Sequence, residues 1–174
     1  IGSACEAGEV FQAVLKGASD DELLRIASYY DYLEIQPLGN NVFLINSDRY
    51  PNVTSKQDLI DLNMKIVELA DKLGKPVVAT TDSHYPDKES AIYRNIVMSR
   101  VGFGDTNSNS LYLRTTAEML KEFDYLGERT KEIVIDNTNL IAAMTEEFQP
   151  VPDEKCPPSI DGADETLRST CYAT

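Results

Sequence analysis

The clearest periodic pattern in the chain covers residues 55–73, where leucine and isoleucine recur at steps of three or four residues. This spacing places the apolar side chains on one face of a helix. Gly74 supplies a helix stop, and Pro76 prevents the helix from continuing. We therefore predict an amphipathic helix over this range.

Two short apolar runs predict strands. Residues 76–81 (PVVATT) follow the helix directly and are rich in β-branched side chains, which indicates a buried strand. Residues 32–36 (YLEIQ) predict another strand, ended by Pro37. Further helices are predicted over residues 10–16, 23–27, 88–100 and 130–144. Strands that alternate with helices predict an α/β fold with a parallel sheet.

Capping boxes mark three predicted helix starts. In such a box a hydroxyl accepts from the first-turn backbone, while the polar residue three positions later reaches back to the cap. The three pairs are Ser19 with Glu22, Thr54 with Gln57, and Thr115 with Glu118.

Three regions predict irregular structure. Residues 38–54 predict a long loop, with a short strand around residues 42–45, and residues 102–110 predict a surface loop. Prolines at positions 150, 152, 157 and 158 rule out regular structure until about Ala163, where another element begins. We expect residues 1–149 to form one domain and residues 150–174 to form an acidic, proline-rich linker.

The charge balance limits the function of the chain. Sixteen basic and 29 acidic residues give a net charge of -13, which argues against an independent grip on nucleic acid. No apolar run approaches the ~18 residues of a membrane span. The chain begins without Met or a signal-peptide pattern, so we expect an excised fragment or a processed terminus. Three widely spaced cysteines and no CxxC motif favour a reducing cytoplasm over disulfides or a zinc finger.

The sharpest candidate for chemistry is the segment TTDSHY at residues 80–85, just after the predicted buried strand. His84 is the only histidine of the chain. If the backbone is extended, the side chains of Asp82 and His84 point to the same side. A carboxylate and an imidazole at a strand end suit Zn²⁺ or Mn²⁺, which can activate water for phosphoester hydrolysis. Alternatively, Asp82 caps the next helix and His84 is a surface loop residue.

Cys5 is the second candidate ligand, in a turn of small residues before the first helix. A thiolate binds zinc when other ligands join it, whereas the alternative is a buried, inert thiol. Glu6, Glu9 and Glu34 offer further carboxylates, but so acidic a chain gives no reason to single them out. Cys5, Asp82 and His84 together make up part of a metal site and not a whole one.

Five segments in order resemble PolC-type bacterial DNA polymerase III alpha subunits. The first resembles the stretch that resumes the PHP domain after the inserted proofreading exonuclease, and the last resembles the junction to the polymerase core. They are IGSACEAGEVF (1–11), YDYLEIQP (30–37), KPVVATTDSHY (75–85), RTTAEML (114–120) and IDGADE (160–165). Their collinearity over nearly the whole chain is more specific than any single motif.

This resemblance implies the C-terminal portion of a PHP domain, a distorted barrel of about seven βα units with metals at the strand ends. The last metal motif of that family, Asp-x-His, falls on Asp82 and His84, and a Cys or His ligand falls on Cys5. The resemblance implies Zn²⁺ or Mn²⁺ in the intact PHP domain and Mg²⁺ in the polymerase core. The early His-x-His motif and other upstream ligands are absent from this chain, so the segment alone need not hold metal.

The resemblance implies that the parent protein is a DNA-directed DNA polymerase, with a 3'–5' exonuclease elsewhere in its chain. In that protein this segment is expected to support the polymerase core, and by itself it is expected to have no enzymatic activity. Its implied partners are the remaining PHP, exonuclease and core segments, and it meets DNA only through the parent. Two alternatives stay open: a stand-alone PHP phosphoesterase of the histidinol-phosphatase kind, and a scaffold without metal. Because part of a barrel leaves a sheet edge and apolar faces uncovered, we expect the chain to self-associate, for example by pairing edge strands.

Overall fold

A computed structural model describes residues 1–100, 109–151, 153–155 and 157–173. Contacts along the chain divide it into two units, Ile1–Met144 and Thr145–Thr174. The helices and strands of the first unit are α1 (Glu9–Leu15), α2 (Asp20–Ala27), β1 (Leu33–Ile35), α3 (Lys56–Leu73), β2 (Val77–Ala79), α4 (Ala91–Arg100), α5 (Thr116–Glu122) and α6 (Asn137–Ala143). The second unit contains α7 (Ala163–Tyr172) after a proline-rich stretch, so the element predicted to begin near Ala163 is confirmed.

The two predicted strands form a parallel pair, which confirms the α/β class. Leu33 lies opposite Val77, and Ile35 lies opposite Ala79. Gly2 forms a further parallel bridge to Tyr32, so the N-terminal segment lies on the other side of β1. All three segments therefore run in the same direction, while the complete seven-unit barrel stays a prediction.

Helix α3 begins one residue later than its predicted capping box implies. Ser55, with an extended backbone, is the N-cap, and its hydroxyl and the Asp58 carboxylate satisfy each other's backbone N–H groups. The predicted pair of Thr54 with Gln57 is wrong, because the residues that form the capping box are Ser55 and Asp58. The Asp58 carboxylate also accepts from the Thr54 backbone and hydroxyl, at 2.7 and 3.0 Å. The helix ends at Gly74, whose left-handed backbone (φ 62°) is the predicted stop.

The other two predicted caps are at the expected residues. Thr115 and Glu118 form a reciprocal capping box at the start of α5. Ser19 caps α2 by accepting from the Glu22 backbone, which is one half of the predicted capping box. Local sequence was sufficient here because each cap involves only residues within one helical turn.

Residues 38–54 differ from the prediction. Leu38–Leu44 form a 3-10 helix in place of the predicted short strand, and Asn40 and Asn41 are buried within it. The Asn40 side chain donates to the Thr81 backbone oxygen at 3.0 Å. This contact across the fold is invisible to local patterning, which explains the wrong strand. The loop predicted over residues 102–110 falls largely outside the described residues.

The two predicted long helices both contain irregular turns. The segment predicted from Lys88 begins as a 3-10 turn, Lys88–Ser90, capped by Asp87, and continues as α4. The helix predicted over residues 130–144 ends at Ala143, and the π-helical segment Glu132–Asp136 precedes α6. Asn137, directly after that segment, donates to the Val77 oxygen at 2.9 Å. This hydrogen bond attaches α6 to β2.

The core of the first unit lies where the helices pack against the strands. Asn63 of α3 is buried among the apolar residues, and its side-chain amide donates to the Gln36 backbone oxygen and to the Tyr125 hydroxyl, at 3.1 and 2.8 Å. These bonds fix the carboxyl end of β1 against α3. The largest fully buried apolar side chains are Phe123, Leu33, Ile35, Leu44, Leu59, Ile66, Leu69 and Ile133. None of the described helices is both long and apolar enough to cross a membrane.

Candidate metal centre

The candidate ligands lie at one edge of the sheet because the three parallel segments end there. The N-terminal segment continues from its bridge at Gly2 into the turn that carries Cys5. Strand β2 ends at Ala79 and leads into Asp82 and His84. The carboxyl ends of parallel strands meet at the same edge, which is where α/β folds place functional groups.

Glu34 joins the two outer segments. Its Oε1 accepts from the Ala4 backbone at 3.3 Å, and its Oε2 accepts from the Thr80 hydroxyl at 3.2 Å. Its own backbone N–H donates to the Ser3 hydroxyl at 2.9 Å. Sequence reasoning could not select Glu34 from so many carboxylates. The available signal was its position as the single charged residue between the apolar residues of β1.

Asp82 and His84 are brought together, although not by the predicted geometry. The Asp82 Oδ1 and the His84 Nε2 are 3.3 Å apart. The extended backbone assumed in the prediction is wrong at Asp82, which has a left-handed conformation (φ 50°). This conformation is uncommon outside glycine and is frequent at functional sites. The His84 backbone N–H is held by the Leu111 oxygen at 2.8 Å.

The sequence left two alternatives to metal binding: Asp82 as the cap of the next helix, and His84 as a surface loop residue. The cap of the following helical turn is Asp87, which accepts from the Ser90 backbone at 2.8 Å, so Asp82 does not cap it. His84 is 44% exposed, so its imidazole is accessible from solvent. An accessible imidazole beside a carboxylate suits either a surface loop or a ligand that meets another part of a protein.

Cys5 lies in a tight turn before α1, where the Gly8 backbone N–H donates to the Cys5 backbone oxygen at 2.8 Å. Burial raises the pKa of its thiol, a hydrogen bond from the Ala7 backbone partly offsets this, and the negative charges of Glu6 and Asp82 raise the pKa further. Gly8 closes the turn, because a Cβ there would collide with the Ser3 backbone oxygen. The protonated thiol must lose its proton to bind a metal.

The described residues supply too few donors for a complete metal site. No three His, Cys, Asp or Glu side chains among them lie close enough together to hold a metal ion. A structural zinc takes four ligands, and a catalytic zinc takes three and a water. Among the described residues the structure therefore brings Asp82 and His84 together as a pair, and it does not add Cys5 to them as a third donor of such a group.

Comparison with known proteins gives relatives that share one name. No protein-family model matches the chain. It is 53% identical over 171 residues to the DNA polymerase III PolC-type of Clostridium perfringens, and this alignment covers 97% of the chain. It is 41% identical over 177 residues to the protein of that name from Bacillus subtilis, covering 99% of the chain. The chain spans about 12% of the length of these relatives. The matches confirm the resemblance indicated by the five motifs.

Proposed function

The chain is related over nearly its whole length to one segment of PolC-type DNA polymerase III, and from this relationship we propose that it is part of a replicative DNA polymerase. The segment belongs to the C-terminal portion of the PHP domain and supports the polymerase core. Polymerisation, with its Mg²⁺ ions, and 3'–5' exonuclease activity reside in other segments. The single observation that carries this proposal is the 97% coverage at 53% identity.

The net charge of -13 supports the assignment of DNA contact to other segments of the polymerase. Protein affinity for nucleic acid comes largely from Lys and Arg that neutralise phosphates. A strongly acidic segment is repelled by a DNA backbone, so contact with DNA is left to other parts of the polymerase. The segment contributes structure and one side of a metal site.

Asp82, His84 and Cys5 are the proposed ligands of a divalent metal, Zn²⁺ or Mn²⁺, in the complete PHP domain. Their common edge and the 3.3 Å contact between Asp82 and His84 support this assignment. Glu34 positions the site by holding the Ala4 backbone and the Thr80 hydroxyl. Such a metal supplies Lewis acidity and can activate water.

Metal analysis of the full-length polymerase tests the ligand assignment. The Asp82→Asn/His84→Ala variant is expected to lose bound Zn²⁺ or Mn²⁺, measured by inductively coupled plasma mass spectrometry after dialysis. The matched control is Asp48→Asn, an exposed carboxylate in a turn remote in sequence, which is expected to retain the metal. Circular dichroism of each variant checks that the fold persists. An unchanged metal content in the double variant would show that these residues are not ligands.

A phosphatase assay separates the polymerase proposal from a stand-alone phosphoesterase. The 174-residue chain with added Mn²⁺ or Zn²⁺ is expected to leave p-nitrophenyl phosphate unhydrolysed, because the described residues lack a complete ligand set. Turnover that depends on the metal and disappears in the Asp82→Asn/His84→Ala variant would contradict the proposal.

Helix α4 carries the surface that the rest of the polymerase is proposed to cover. Ile92, Tyr93, Ile96 and Val97 are between 57% and 70% exposed. Their spacing places them on one side of the helix, so they form a continuous apolar stripe, which we call the α4 face. Such a surface on a soluble protein indicates an interaction site. Relatives about eight times longer provide polypeptide to cover it.

The isolated chain is therefore expected to self-associate through the α4 face. The Ile96→Glu/Val97→Lys variant keeps the net charge and is expected to be monomeric in sedimentation velocity, whereas the unaltered chain forms dimers or larger species. The control Phe43→Glu/Met64→Lys changes two exposed apolar residues outside the α4 face and is expected to associate like the unaltered chain. A monomeric unaltered chain, or equal dissociation of both variants, would refute this role of the α4 face.

A further inference from the structure

A basic cleft lies where three segments of the first unit converge. The turn before α4 provides Lys88, the segment that begins at the Tyr85–Tyr112 bridge provides Tyr112 and Arg114, and α5 provides Glu118, Lys121 and Glu122. The cleft has a volume of about 370 Å³. We call it the Tyr112 cleft.

The Tyr112 ring holds two cations close together. The guanidinium carbon of Arg114 is 4.3 Å from the ring centroid, and the Lys88 Nζ is 5.0 Å from it. Arg114 is buried, and its two terminal nitrogens donate to the Ser110 backbone oxygen and hydroxyl at 2.8 and 2.7 Å. These neutral partners fix the guanidinium without compensating its charge. Two neighbouring positive charges repel each other unless an anion lies nearby.

The carboxylates of the cleft compensate this charge only in part. Glu118 is engaged in its capping box, where its Oε2 accepts from the Thr115 backbone and hydroxyl at 2.8 and 2.9 Å. The Thr115 hydrogen bonds hold the pKa of Glu118 below its usual value, and the charges of Lys88 and Arg114 lower it further. The side chains of Lys88, Arg114 and Glu118 all line the cleft.

The three cations of the cleft also lack ion-pair partners within the described part of the chain. Other basic side chains are paired: Lys65 with Asp20, Lys131 with Asp136, and Arg129 with Asp71. Counting its two glutamates, the cleft carries a net charge of +1 (three cations minus two carboxylates) on a chain of net charge -13. A positive site on so acidic a protein concentrates anions locally.

We propose that the Tyr112 cleft binds the phosphate group of a small ligand. Lys and Arg bind phosphate oxygens through charge-assisted hydrogen bonds, and Lys88 and Lys121 are exposed and able to reorient. The negative charge of the rest of the chain repels a long polyanion, so a free phosphate or small phosphate ester is favoured over a nucleic acid backbone. The proposal is independent of the polymerase relationship and of the metal site.

Titration with inorganic phosphate, followed by NMR of the 15N-labelled chain at constant ionic strength, tests this site. Saturable shifts are expected for the amides of residues 110–115 and for the Arg114 side chain. The Lys88→Gln/Lys121→Gln variant is expected to bind phosphate about tenfold more weakly, since each charge-assisted contact is worth more than a neutral one. The control Lys56→Gln/Lys131→Gln makes the same change in net charge elsewhere and is expected to bind like the unaltered chain.

Each outcome decides the proposal. Saturation that is weakened by the cleft variant alone supports it. Shifts that do not saturate, or that weaken equally in both variants, would reduce the effect to general electrostatics and overturn the site. Displacement of phosphate by a single-stranded oligonucleotide at lower concentration would show that nucleic acid is the ligand and overturn the assignment to small molecules.

Discussion

Replacing Phe123 by alanine is expected to lower the free energy of unfolding by about 3–5 kcal/mol, the usual cost of truncating a buried phenylalanine. The Phe123 side chain is 0% exposed and lies in the core that joins α5 to the strands. Its ring centroid is 5.9 Å from that of Tyr125, which in turn accepts the Asn63 hydrogen bond. The cavity therefore opens next to the contacts that hold the end of β1.

Urea denaturation of the chain and its variants measures this effect. Phe43→Ala makes the same chemical change at a side chain that is 55% exposed, and its expected effect is within about 0.5 kcal/mol. The midpoint is expected to fall in the Phe123 variant with little change in slope. Equal midpoints for the two variants would mean that the described core does not stabilise the fold.

Replacing Lys75 by methionine is expected to cost about 1.5–3 kcal/mol, the usual contribution of hydrogen bonds to a charged group. The Lys75 Nζ donates to three backbone oxygens at and just beyond the end of α2, those of Ala27, Ser28 and Tyr30. Methionine preserves the apolar stem and removes the donors. The change thus separates α2 from the residues that lead into β2.

The matched control for this change is Lys131→Met. Lys131 is 72% exposed, and its ion pair with Asp136 is on the surface, so its removal is expected to change stability little. Thermal unfolding by circular dichroism compares the two variants. Hydrogen exchange is expected to accelerate at the end of α2 only in the Lys75 variant. Exchange that is unchanged there would contradict the anchoring role of Lys75.

The sequence by itself determined the features that depend on neighbours within one turn or one strand. The periodic residues of α3, the stop at Gly74 and the caps at Ser19 and Thr115 needed no distant partner. Parallel strand pairing followed from the alternation of short apolar runs with helices. The relationship to PolC-type polymerases also followed from sequence alone, because it requires only ordered residues.

Only the tertiary structure decided the features that depend on residues far apart in the chain. Glu34 acquired its role from Ala4 and Thr80, and the 3-10 turn at Asn40 is tied to Thr81. The same holds for the Tyr112 cleft, whose cations come from three segments. Hydrophobic periodicity reports which face of an element is buried, but not which element covers it, since burial is non-directional. Long-range hydrogen bonds and charges select those partners, and they exist only once the chain is folded.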